Sequence, residues 1–154
     1  MKIVYFLLVL ILFLSCKNKP LKEESSTAAY KLELIATDKA FSEMSSASGM
    51  KKAYIEYIDS NGVLLRPENM PIIGANAIDY LIQQDDSGFQ LSWEPRHAEV
   101  ANSGELGFTY GIYAMRPKDK DTVIYGTYTS IWRKQKDGKW KLALDSGNQG
   151  IGEP

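Results

Sequence analysis

Asp38, Asp145 and Tyr128 are the residues of this chain best suited to moving a proton. An aspartate can take a proton from a substrate while a phenol steadies the charge that develops, provided both converge within hydrogen-bond reach of it. Tyr110 is an alternative donor to Tyr128. His97 is the one histidine; it follows Pro95-Arg96 near an expected bend, and chemistry needing paired histidines is excluded by count. Large rings at Tyr54, Tyr57, Trp93, Tyr110, Tyr128 and Trp132, with few polar groups among them, suit a pocket for a small, partly apolar ligand. With His97 beside them, Tyr54, Tyr57, Trp93, Tyr110 and Trp132 form the candidate ligand-binding set. No glycine-rich phosphate loop, metal-ligand cluster or Gly-x-Ser-x-Gly elbow is present, so neither cofactor nor metal is expected.

The elements that must position these residues divide into helices first and strands afterwards, an α+β order. A helix from Tyr30 to Ala47 gathers Leu34, Ile35, Phe41 and Met44 on one side, and Asp38 falls among them. A carboxylate on that face must be hydrogen-bonded, sit in a wet cavity or shift toward its neutral form. Met50 to Ile58 carries a second amphipathic stripe with Tyr54 and Tyr57 inward. Asp59 to Gly62 then turns the chain into a short strand at Val63-Leu64-Leu65. Arg66 to Gly74 reads as a loop of the kind that rims binding sites, and Ala75 to Gln84 as a third helix with Ala77, Ile78, Leu81 and Ile82 inward.

The strands begin with Phe89, Leu91 and Trp93. They bend at Pro95, resume from His97, return over Leu106 to Arg116 and finish in a hairpin around Asp137-Gly138. A two-residue turn there sets Gln135 opposite Trp140, Trp132 opposite Ala143, Ser130 opposite Asp145 and Tyr128 opposite Gly147. A symmetric connection before it pairs Tyr110 with Tyr128, which would place Phe108, Tyr110, Tyr128, Trp132 and Asp145 on one surface.

With 154 residues and a net charge of −1, the chain has room for one domain and too little charge to steer nucleic acid. Its start differs from the rest. Lys2 precedes an unbroken apolar run, Ile3 to Leu14, too short to span a bilayer stably and suited to a secretory signal over 1–15. Cys16 is the only cysteine, which rules out an intrachain disulfide. Leu14-Ser15-Cys16 resembles the lipobox of bacterial lipoprotein signal peptides, although Phe13 departs from the preferred leucine. The resemblance implies cleavage before Cys16, lipid on its sulfur, and residence in the cell envelope on a periplasmic or outer-membrane face. Residues 16–29 then read as a flexible tether, 30–150 as the domain and 151–154 as a tail.

The stretches Asp38-Lys39-Ala40-Phe41-Ser42, Leu91-Ser92-Trp93-Glu94-Pro95, Ser103 to Gly111 and Tyr128 to Lys134, with Asp145, are similar to the DUF4440 and SnoaL-like branch of the NTF2-like superfamily. What this resemblance implies is a cone: a curved antiparallel sheet around a long first helix, a pocket between them, and commonly a homodimer. Members include isomerases, cyclases and dehydratases alongside proteins that only bind or assemble. Asp38 occupies the family's first-helix position, and Trp132 and Asp145 those of its hairpin tryptophan and acid. The isomerase pattern of a tyrosine and a protonated acid, with another acid as base, has no residue-by-residue match. Three functions are therefore expected to compete: a pocket for a small, partly apolar ligand; a cofactor-independent isomerase, lyase or cyclase; and a dimerisation module.

Overall fold

The computed structural model describes residues 22–152. The apolar segment 3–14, Cys16, residues 17–21 of the tether and the end of the tail lie outside the described residues. The elements run α1 (Lys22–Ser48), α2 (Met50–Tyr57), β1 (Ile58–Leu65), β2 (Ile72–Ile73), α3 (Ala75–Gln83), β3 (Phe89–Val100), β4 (Leu106–Pro117), β5 (Ile124–Lys134) and β6 (Trp140–Gln149). This is the expected α+β cone, three helices against one curved sheet. Helix α1 begins eight residues before Tyr30, so 22–29 is helical rather than coil. Lys22, the two glutamates and the two alanines of this segment carry good helix propensity without an apolar stripe to signal it.

Six strands form one sheet in the order β2-β1-β6-β5-β4-β3, with β1 parallel to β6 and the other pairs antiparallel. Asp59 to Gly62, expected to be a turn, lie within β1, whose register shifts between Ile58 and Val63. Strand β3 is an edge. Its register shifts between Pro95 and His97, the bend a proline imposes where it cannot donate to a ladder.

Helix α1 covers the β3 edge. Leu34, Asp38, Phe41 and Ser45 recur at helical spacing and are all but fully buried. Ser42 Oγ accepts the Trp93 N–H at 2.7 Å and donates to the Trp93 carbonyl at 2.7 Å, while Ser45 Oγ donates to the Leu91 carbonyl at 2.8 Å. Two serines thus occupy backbone groups that a neighbouring strand would otherwise take. Phe41 is the aromatic hub: its ring meets Tyr54, Trp93 and Trp132 edge-on at 4.8, 4.5 and 5.9 Å and stacks on Tyr57 at 4.8 Å.

The closing hairpin departs from the expected register twice. Lys134, not Gln135, pairs with Trp140, and Gly138 alone takes a positive φ (86°), so Asp137-Gly138 is not the two-residue turn that needs both residues left-handed. Gly138 N–H bonds the Gln135 carbonyl and Gln135 N–H the Lys139 carbonyl, closing a longer loop. Trp132 therefore lies opposite Leu142 rather than Ala143. A bulge at Ala143 then restores the expected pairs Ser130 with Asp145 and Tyr128 with Gly147. The two shifts together bring Trp132, Trp140 and Leu142 into one buried core.

The β4–β5 pairing also differs by one residue: Tyr128 faces Gly111, and Tyr110 faces Thr129. The charged loop between these strands carries no turn signal to set a register, and small residues decide it. Gly107, Thr109 and Gly111 lie opposite Trp132, Ser130 and Tyr128, leaving room for their side chains inside the cone. Phe108 and Tyr110 consequently sit on the other face, exposed together with Leu106. Ile82 is likewise exposed, where the helical stripe expected it inward.

Candidate functional site

Two aspartates organise the interior, one from the first helix and one from the last strand. Asp38, with no measurable exposure, accepts the Trp93 indole N–H at 2.7 Å on one oxygen and the Tyr128 hydroxyl at 2.7 Å on the other. The Thr109 hydroxyl is a further partner and itself accepts the Trp132 indole N–H at 2.9 Å. Burial raises the Asp38 pKa, and the donors, Tyr128 foremost, only partly offset it.

Asp145 accepts from Arg66 at 2.7 Å and from Tyr54 at 3.0 Å on one oxygen, and from Ser130 at 3.0 Å on the other. Arg66 also donates to the Leu65 and Asp145 carbonyls, which aims its guanidinium at the acid. Tyr128 and Ser130, alternate residues of β5, thus serve the two carboxylates in turn. Desolvation, reinforced by the neighbouring acid, pushes the Tyr128 and Tyr54 phenols far above their ordinary range, so both stay protonated.

A cavity of about 220 Å³ opens against this network. Phe41, Met50, Phe89, Leu91, Trp93 and Met115 give it an apolar wall. Asp145, Arg66, Ser130, Tyr54 and Tyr128 supply polar groups, and Gly147 leaves part of the wall bare.

The sequence-derived site residues separate into three groups. Tyr54, Trp93, Tyr128 and Asp145 line the cavity together. Asp38 and Trp132 lie behind its wall: Asp38 is sealed by Trp93 and Tyr128, and Trp132 is wholly buried core. Tyr57, Tyr110 and His97 point elsewhere. Tyr57 stacks on Phe41 and faces a separate depression beside Trp140 and Lys141. The one-residue register shift carries Tyr110 to the outer face, where its ring lies 5.6 Å from that of His97. His97 bonds Glu99 at 2.9 Å there. Arg66, Ser130 and Thr109 were not singled out by sequence. Ser130 was legible from the hairpin register that sets it opposite Asp145, and Arg66 only as the residue that begins the loop after β1.

No family model matches the chain, and no curated protein matches its sequence. Solved structures do. An NTF2-like protein with a cystatin-like fold from Novosphingobium aromaticivorans superposes with a TM-score of 0.66 over 90% of this chain and 94% of its own, at 12% identity. The fold is NTF2-like. The same NTF2-like frame is shared with a ketosteroid isomerase-like protein from Erwinia carotovora (TM-score 0.57, 16% identity, 78% and 98% of the two chains). An epoxide hydrolase of the LEH-like type from M. tuberculosis also shares it (TM-score 0.55, 12% identity, 78% and 84%). At these identities the likeness is one of NTF2-like architecture.

Proposed function

We propose that this chain binds a small, partly apolar ligand in the hollow of its NTF2-like cone, as a lipid-anchored protein of the cell envelope. The observation that carries the binding reading is the pairing of the wall's polar groups. Asp145 already holds three side-chain donors and Asp38 is closed off by two, so neither carboxylate stands ready to abstract a proton. What the cavity offers an occupant is apolar surface with fixed polar points, the composition of a holding site. The envelope part rests on the sequence of 1–16, as does assignment to the DUF4440 and SnoaL-like branch on the stretches that resemble it.

Gly147 provides the test. A Cβ at this position meets only ordinary contacts, Thr127 O at 3.6 Å and Tyr113 Cε1 at 3.7 Å, so Gly147→Val occupies the cavity while leaving both carboxylate networks in place. Protein extracted from native envelope and analysed by native mass spectrometry is expected to carry a small molecule that the variant lacks. Equal occupancy of both proteins would overturn the reading.

A second reading, a cofactor-independent acid/base enzyme, is favoured by the raised Asp38 carboxyl hydrogen-bonded to the cavity-lining Tyr128. The isomerase-like and hydrolase neighbours support it as well. It requires that the recovered molecule be turned over by the wild type and not by Asp38→Asn. We further propose a homodimer through the outer sheet face, where Leu106, Phe108 and Tyr110 are exposed together.

A further inference from the structure

The ligand's polar end follows from where the inner wall sends its protons. Tyr54 and Ser130 donate to Asp145, and Tyr128 and Trp93 donate to Asp38. Each hydroxyl therefore keeps only oxygen lone pairs for an occupant, and the indole keeps nothing but its ring. Away from Arg66, whose remaining N–H groups can still donate, a ketone, ester or oxyanion entering this hollow would meet oxygen with oxygen. The groups at the wetter side, Tyr113, Ser146 and Gln149, can turn either way.

Charge points in the same direction. Two aspartates face one arginine, and that arginine is bound to Asp145 at 2.7 Å. Among the described residues no cation pairs with Asp38; all its partners are neutral. A negative charge buried without a counterion is costly, and an incoming cation lowers that cost. The rings of Trp93, Tyr128 and Phe89 line the hollow as well, and aromatic rings attract an ammonium group. The cavity volume of about 220 Å³ is the liquid share of about seven waters, a size that suits a small ligand.

We propose that the cavity selects a small primary amine with an aromatic or branched apolar body, its ammonium directed at the oxygen of Tyr128, on the part of the wall away from Arg66. This rests on the binding reading above and names the ligand's class. Asp38 acts through Tyr128: by holding the phenolic proton, it makes the cavity side of that hydroxyl an acceptor. The dependence is reversible by substitution. In Asp38→Asn, the indole of Trp93 can only donate and so takes the amide oxygen, leaving the amide NH₂ against Tyr128. Tyr128 must then accept, and its own proton turns toward the cavity.

The experiment compares 2-phenylethylamine, 2-phenylethanol and acetophenone, which are matched in size, by protein-observed NMR titration at neutral pH on wild type, Asp38→Asn and Gly147→Val. Wild type is expected to bind the amine about tenfold or more tightly than the ketone, a difference of about 1.4 kcal/mol. The alcohol should fall between them, and Asp38→Asn should reverse the order. Ketone binding as tight as amine binding in the wild type, or an unchanged order in a folded Asp38→Asn, overturns the inference and leaves the pocket standing. If no probe gives a saturable shift that Gly147→Val abolishes, the binding reading falls with it. Should Asp38→Asn not fold, the wild-type ranking decides alone.

Discussion

Gly111 lies directly opposite Tyr128 in the sheet, and the missing side chain is what lets the Tyr128 ring pass over β4 to reach Asp38. A Cβ on Gly111 would stand 2.8 Å from Tyr128 Cε1 and 2.1 Å from the Glu94 carbonyl oxygen, a backbone atom that cannot step aside. Gly111→Ala is therefore expected to cost about 3 kcal/mol or more, at the upper end of overpacking effects, and Gly147→Ala less than about 1 kcal/mol. Urea unfolding of the two variants separates them. Equal losses would show that the contact at Gly111 does not fix the strand pairing.

The Arg66–Asp145 pair is nearly desolvated, with Asp145 side-chain exposure of 4% against 20% for Arg66. Removing the acid alone leaves a guanidinium and two hydroxyls facing an empty site. Asp145→Ala should lose about 3–5 kcal/mol, the range for breaking a buried pair, while Arg66→Met with Asp145→Leu should lose less than the two single changes added together. A double-mutant cycle with a coupling near zero would mean that the pair is incidental to stability.

Asp38 gives stability an unusual slope with pH. Its folded pKa is raised above 3.8, first by burial, so the folded state holds this proton more tightly than the unfolded chain does. Its contribution is full below about pH 3.8 and is lost as pH rises through the folded value. Asp59 runs the other way. The Asn61 N–H at 2.9 Å, with Gln135 and Arg133 beside it, lowers its pKa, and its contribution is lost as pH falls. The stability of wild type relative to Asp38→Asn should therefore decline as pH is raised from the acid side and level off once the folded carboxyl is ionised. A gap that stays flat across that window would contradict the raised pKa.

Placing charge on the outer face tests the proposed dimer. Phe108→Lys with Tyr110→Lys alters two exposed side chains and none of the cavity wall. Sedimentation is expected to show half the wild-type mass, with ligand response retained. An unchanged mass would place the association elsewhere or remove it.

Much of this architecture could be read from residue order, because apolar periodicity reports which face of an element is buried. The helix bearing Asp38, the bend at Pro95 and the pairing of Ser130 with Asp145 all follow from such patterns. Register was legible only where a turn fixed it. Asp137-Gly138 marks the hairpin, yet the pairing it implies is regained only through the bulge at Ala143, which no residue type announces. The β4–β5 connection has no comparable marker, and a slip of one residue moved Tyr110 out of the site. Ser42 and Ser45 were invisible for another reason: a serine within a helical stripe signals nothing until the strand it meets is known.

Those serines bear on how the molecule behaves in a crowd. Where Ser42 completes the bonding of Trp93, β3 is closed to recruitment by a second chain at that point. A population with its first helix peeled away would present that border bare, and border-to-border stacking into fibres would become the competing fate. On this view the opening helix is a guard rail as much as a wall of the cone, and replacing Ser42 with valine weakens it without touching the hollow.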